Sequence, residues 1–196
     1  MIVRMIRLCS FSLLIGMLLL SCNQNYTPLP RGYFRIALPE HDYHLSDTTY
    51  PYYFEYPVYT NFVSSPQNPN QKYWANIEYP QFDATIYLSY KPVNNNLITY
   101  LEDAYTLVSK HIPKAEDISD SLIVDRTRNI YGLMYKIEGS GAASPFQFFV
   151  TDSSSHFLRG ALYFNMVPNN DSLEPVIDFI STDIEHLINT IKWDKE

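Results

Sequence analysis

The chain has 196 residues, 46% of them hydrophobic, with 21 acidic against 14 basic residues and a net charge of −7. That length suits one domain around a single core, and the acidic balance speaks against nucleic acid or an anionic lipid surface as a partner. Seventeen tyrosines and eleven phenylalanines against six glycines point to a β-rich core with wide, half-polar aromatic faces.

Met1, Arg4 and Arg7 form a short positive start, and Leu8 to Leu20 is apolar but for Ser10 and Ser12. The run is short for a spanning helix and right for the h-region of a signal peptide. It ends in Leu19-Leu20-Ser21-Cys22. A small residue before the cysteine, with leucine three positions before it, resembles the bacterial lipobox. That resemblance implies diacylglycerol on the Cys22 thiol, cleavage before Cys22, and acylation of the new amine with palmitate-type chains. Residues 1–21 are then signal peptide, 22–30 a lipidated tether, and 31–196 a single domain. Loss of Arg4 and Arg7 takes the net charge from −7 to −9. Membrane attachment therefore falls to the acyl chains, and three chains hold firmly where one would not. Cys9 leaves with the signal peptide and Cys22 carries lipid, so the exported domain has no disulfide and depends on packing.

Asn23 to Pro30 is a polar, proline-containing tether. From Pro30 to Pro39, Phe34, Ile36 and Leu38 alternate with Tyr33, Arg35 and Ala37, which predicts an edge strand with its arginines outward. Glu40 to Thr49 reads as polar loop, Tyr52 to Tyr56 as a strand between prolines, and Thr60 to Lys72 as the mobile loop. Tyr73–Tyr79 and Ala84–Tyr90 predict a strand pair turning at Pro80-Gln81-Phe82-Asp83. Asn94-Asn95-Asn96 offers an N-cap for a helix over 97–110, striped by Leu97, Leu101, Ala104, Leu107 and Val108 and stopped before Pro113. Four strands follow as a meander over 121–127, 130–138, 146–151 and 156–166. A last helix starts near Ser172, with Pro175 in its first turn and Ile177, Ile180, Ile184, Leu187, Ile188 and Ile191 on its apolar face. This order predicts an α+β fold: an antiparallel sheet, meander plus N-terminal strands, with two packed helices. It resembles the Mog1/PsbP-like sandwich.

The residues spell out no enzyme. His41-Asp42-Tyr43-His44, with Asp47, offers imidazoles and a carboxylate, but the spacing is loose and a solvated loop is the better reading, so no metal site is expected. His111 and His156 occupy ordinary element ends, and His186 is expected on the exposed side of the last helix. There is no G-x-S-x-G elbow, and Gly139-Ser140-Gly141 lacks the Lys-Ser/Thr of a phosphate loop. Glu102-Asp103 and Glu116-Asp117 are consecutive carboxylates that do not converge. Arg31, Tyr33 and Arg35, beside a membrane tether on an acidic domain, are the candidate partner-binding residues: phosphate headgroups, a partner's carboxylates and the domain's own acidic loops are all suitable targets.

Beyond the lipobox, the sequence resembles the GldD-type gliding-motility lipoproteins of Bacteroidetes. The carrying residues are Cys22, Tyr26-Thr27-Pro28, Pro30-Arg31-Gly32-Tyr33-Phe34-Arg35-Ile36 and Leu38-Pro39. Phe54-Glu55-Tyr56-Pro57, Trp74-Ala75-Asn76-Ile77, Tyr79-Pro80 and Leu88-Ser89-Tyr90-Lys91 follow in order. The resemblance implies a non-enzymatic envelope lipoprotein without a cofactor, tied to gliding and to the type IX secretion machinery. Its implied partners are the membrane, other gliding-motility lipoproteins and the membrane protein GldE. The residues after Cys22 lack the acidic cluster of a surface-export signal, so the periplasmic side is expected, with the inner face of the outer membrane favoured. The alternative is a periplasmic glycan- or peptide-binding lipoprotein, hydrolytic in one version, using the aromatic faces and the 60–72 loop. The phylum also implies O-glycosylation at Asp-Ser/Thr-apolar or Asp-Ser/Thr-Thr sites, which makes Thr48, Ser121 and Ser172 candidates.

Overall fold

The structure is a computed structural model and describes residues 36–47 and 49–194. Its centre is a seven-stranded antiparallel sheet made of two ribbons. The first ribbon is β4 (Asn61–Ser64), β5 (Ala75–Tyr79) and β6 (Ala84–Pro92). The second is the meander β7 (Asp117–Asp125), β8 (Ile130–Glu138), β9 (Phe146–Thr151) and β10 (His156–Phe164). They join where β10 lies along β6, from His156 opposite Pro92 to Phe164 opposite Ala84, giving the order β4-β5-β6-β10-β9-β8-β7. The α+β class read from the sequence is the class observed.

Helix α1 (Leu97–Ser109) connects β6 to β7, and α2 (Asn170–Thr190) follows β10. Because side chains alternate along each strand, both faces of the sheet carry apolar residues and both are covered. Ile77, Ile86, Leu88, Phe148, Val150, Leu158 and Leu162 share the larger core with Ile180, Ile184 and Leu187 of α2. Val93, Phe149 and Phe157 form a smaller core with Ala104 and Val108 of α1. The strand β9 is buried at all six positions for this reason.

The N-terminal part departs most from expectation. Ile36 to Glu40 form no strand, and the remainder of the expected 30–39 strand lies outside the described residues. A short β1 (Tyr43–Leu45) appears instead, within the expected loop. It is held by rings, with His44 beside Tyr56 at 4.1 Å and Tyr43 on His186 at 3.6 Å between centroids, rather than by apolar alternation. The expected 52–56 strand splits at fully buried Phe54 into β2 (Tyr52–Tyr53) and β3 (Glu55–Pro57). These pair with different partners: β3 with β1, and β2 with the C-terminal β11 (Lys192–Trp193). The expected 60–72 loop contributes β4, because Phe62 packs on Tyr50, Phe54 and Tyr56. Strand β7 starts four residues early; it is an exposed edge whose course follows pairing with β8 rather than a hydrophobic pattern.

Neither helix start is closed by a side-chain cap. Asn96 precedes α1, but its Oδ1 accepts the Asn94 N–H at 2.8 Å, closing the preceding turn instead. Asn169, not Ser172, precedes α2, and Asn170 donates to the carbonyls of Gly139 and Ala142 at 3.0 and 2.9 Å, fixing the helix start to the β8–β9 loop.

Candidate functional site

Among the described residues the most heavily bonded side chain is an acid in the middle of an apolar stripe. Asp183, on α2 beside Phe179, Ile180, Ile184 and Leu187, is 1% exposed. An ionised carboxylate at such depth costs several kcal/mol unless donors surround it. Four side chains supply them. His41 Nδ1 lies 2.7 Å from Oδ1, and the Tyr43 hydroxyl donates to the same oxygen at 2.9 Å. Tyr59 donates to both oxygens, and Tyr79 donates to Oδ2 at 3.2 Å.

The elements that bring them together are all short. Tyr79 ends β5, Tyr59 sits in the tight β3–β4 turn closed by Thr60 N–H to the Pro57 carbonyl at 3.2 Å, and Tyr43 opens β1. Burial, and then Asp183 itself, push the Tyr43 and Tyr59 phenols well above the ordinary tyrosine range, and Tyr79 moves the same way for the same two reasons. The hydroxyls therefore stay protonated and stay donors. A second layer lies outside the first. The His41 ring stacks on Phe179 at 4.3 Å, and His186, stacked on Tyr43, reaches Glu55 Oε2 with Nε2 at 2.8 Å. The Glu55 N–H donates to Thr190 Oγ1 at 3.0 Å. Together these contacts fasten the segment after residue 40 to the last helix.

The chemistry of this knot is fastening. Its hydroxyls all converge on one carboxylate, and the His41 nitrogen nearest Asp183 is also the one nearest Tyr43 and Tyr59, at 3.2 and 3.3 Å. The His41-Asp42-Tyr43-His44 run is divided by the extended backbone: His41 and Tyr43 turn to Asp183 while His44 turns to Tyr56. Among the described residues no group of three or more His, Cys, Asp or Glu could hold a metal ion. The expectation for His186 is corrected: it is half-buried and bonded rather than exposed. His156 opens β10 as expected, and there it is buried, meets the Tyr90 hydroxyl at 2.8 Å and stacks on Trp193.

Cys22, Arg31, Tyr33, Arg35 and Thr48 lie outside the described residues. Ser121 is exposed in the middle of β7, not beside a loop, and Ser172 is exposed in the first turn of α2 without serving as its cap. Asp183 was not anticipated. The available signal was its spacing, three residues after Ile180 and four before Leu187, which puts an acid on the buried face.

The family model for the gliding motility lipoprotein GldD matches residues 23–193, nearly all of the chain after Cys22. The chain belongs to that family. It is thus a gliding motility lipoprotein, and membrane anchorage in the cell envelope follows from that membership. Comparison with curated proteins gave no match. Among solved structures, cyanobacterial PsbP (CyanoP) from Synechocystis is similar at a TM-score of 0.45 and 12% identity, covering 86% of this chain and 100% of its own.

Proposed function

We propose that the protein is a non-enzymatic periplasmic lipoprotein of the gliding and type IX secretion apparatus that works by docking with other envelope proteins. The observation carrying this reading is the family match, which begins at residue 23, immediately after the cysteine of the lipobox-like Leu19-Leu20-Ser21-Cys22. Cys22 is the lipid anchor, the inner face of the outer membrane is the favoured site, and Arg31, Tyr33 and Arg35 form the partner-facing stretch. The geometry of the folded part suits an anchored component. Tension entering the domain from its N-terminal side meets His41 and Tyr43, both bonded to a carboxylate in the last helix, before it meets any strand of the main sheet. Partners are envelope proteins of the same apparatus, GldE and gliding lipoproteins among them.

Mild crosslinking in the native host followed by affinity retrieval tests the reading. Motility or secretion proteins should be recovered with the wild type and lost with Arg31→Glu, Arg35→Glu. Retrieval without any envelope protein of that apparatus overturns it.

A further inference from the structure

Between α1 and strands β5, β6 and β10 lies a cavity of about 350 Å³, within the size range of small-ligand sites. It is on the sheet face opposite the Asp183 knot, because Asn76, Tyr87 and Arg159 alternate with the core residues Ile77, Leu88 and Leu158. Trp74 and Tyr100 supply aromatic walls, and the Trp74 indole is fixed by its N–H donating to the Tyr90 carbonyl at 2.9 Å.

The polar groups here are incompletely satisfied. Asn76 is 2% exposed and lines the cavity, yet its Oδ1 has no hydrogen-bond partner. Its Nδ2 meets Gln67 Oε1 at 3.3 Å. Turning both amides over would exchange the atoms and still leave one of the Asn76 pair unmet. Arg159 also lines the cavity, and its Nη2 donates to Gln147 Oε1 at 2.5 Å. A guanidinium only donates, so that bond fixes the Gln147 amide and leaves its buried Nε2 without a partner. Among the described residues no carboxylate lies within ion-pairing distance of Arg159. Lys91, on the same cavity, differs: it is paired with Asp103 at 3.3 Å. Buried polar groups are nearly always satisfied, so the orphaned Asn76 oxygen marks an unfilled hydrogen-bonding position beside a cation that has no carboxylate partner among the described residues.

The register sets their separation. Asn76 lies opposite Tyr87, Tyr87 opposite Ala161, and Arg159 follows on the same face of β10. Two strand spacings put about 10 Å between the backbones of β5 and β10, and Tyr87 and Ser89 of β6 line the cavity between them.

We propose that this cavity binds a carboxylated sugar, with the carboxylate on Arg159, a ring hydroxyl on Asn76 and the ring against Trp74 and Tyr100. Arginine matches a carboxylate with paired N–H donors. A hydroxyl both donates and accepts, so it completes the Asn76 amide in either orientation. Ser65 and Asn68 of the 65–74 connection also line the cavity and add hydroxyl and amide groups toward the remaining ring positions.

The test uses the full lipidated protein in detergent micelles with Trp193→Phe, which leaves Trp74 as the reporter among the chain's two tryptophans. Fluorescence is titrated with glucuronate, with glucose as the neutral counterpart and with glutamate as a carboxylate lacking the ring. Glucuronate should give a saturable change and glucose a far weaker one. Arg159→Gln should weaken binding about tenfold or more, as loss of a charged hydrogen bond does. Should Arg159→Gln fold poorly by circular dichroism, Arg159→Lys keeps the charge, loses the paired geometry and should still weaken binding. Absence of a saturable response to glucuronate overturns the proposal, as does equal binding of glucose, glutamate binding as tightly, or unchanged affinity in the Arg159 variants.

Discussion

The Tyr59 hydroxyl donates to both carboxylate oxygens of Asp183, at 3.0 Å to Oδ1 and 2.9 Å to Oδ2. One phenol thereby spans an acid 124 residues away in sequence and ties the three-residue β3–β4 turn to the last helix. Long-range closure of this kind is slow to form and costly to lose, because nothing local replaces it.

Asp183→Ala should therefore destabilise the fold by about 3 kcal/mol or more, since it leaves three phenols and an imidazole without their acceptor. Tyr59→Phe removes one donor and keeps the ring, and should cost about 1–2 kcal/mol. Urea denaturation of each variant checks the order. An Asp183→Ala variant as stable as Tyr59→Phe would mean that the carboxylate is not the hub.

The same phenols set an alkaline limit. Tyr43, Tyr59 and Tyr79 titrate above their ordinary value in the fold, chiefly through burial and then through Asp183. In the unfolded chain they ionise near pH 10. Above that pH the folded state holds more protons than the unfolded one, so this contribution is full below about pH 10 and is lost as pH rises further. Melting temperature should fall steeply from there upward, with the phenolate absorbance of these residues appearing only as the chain unfolds. Tyr59→Phe should flatten the slope. Full phenolate absorbance in a still-folded protein would contradict this account.

Most of the main sheet could be read from the sequence. The limits of β8 and β9 match the expectation, and β10 ends two residues early, because those segments combine apolar alternation with short turn-rich links. The aromatic small strands could not be read in the same way. Tyr43-His44-Leu45 has no apolar period, and its pairing depends on rings from β3 and α2 that are distant in sequence. Split pairing of β2 and β3 was equally invisible, since a five-residue aromatic run carries no mark of its partners. Asp183 shows the other limit. A helical stripe tells which face is buried, but not that a polar member of it will find four donors.

Gly160 marks a close approach within the second ribbon. A Cβ there would run into the Phe148 ring, which lies over it from the paired strand β9. Because Phe148 is itself 2% exposed, it has little room to move. Gly160→Ala should lower stability by about 2 kcal/mol, in the range for overpacking. The double variant with Phe148→Leu should recover part of that loss. No recovery would show that the strain lies elsewhere.

Cys22→Ala should block lipid transfer and leave either an uncleaved precursor or a soluble product. Detergent phase partitioning together with intact mass distinguishes these from the lipidated form. If the variant loses its signal peptide and still enters the detergent phase, the anchor is not the lipid on Cys22.

The last expectation concerns modification. Of the three Asp-Ser/Thr sites, Ser121 is in mid-strand, with its backbone neighbours engaged by β8 opposite Met134. Ser172 occupies the first turn of a helix whose start is fixed by Asn170. Both hydroxyls thus belong to hydrogen-bonded elements, whereas modification concentrates in exposed connections. Asp47 and Thr49, which flank Thr48, are exposed, and the Asp47 carboxylate accepts the Thr49 N–H at 2.9 Å. Such a side-chain-closed turn is typical of exposed polar connections, where a bulky sugar meets water. Protein from its native host should carry a single glycan in excess of peptide plus lipid, and Thr48→Ala should remove it. A glycan that survives Thr48→Ala would move the site to Ser121 or Ser172, and a mass equal to peptide plus lipid would dismiss all three.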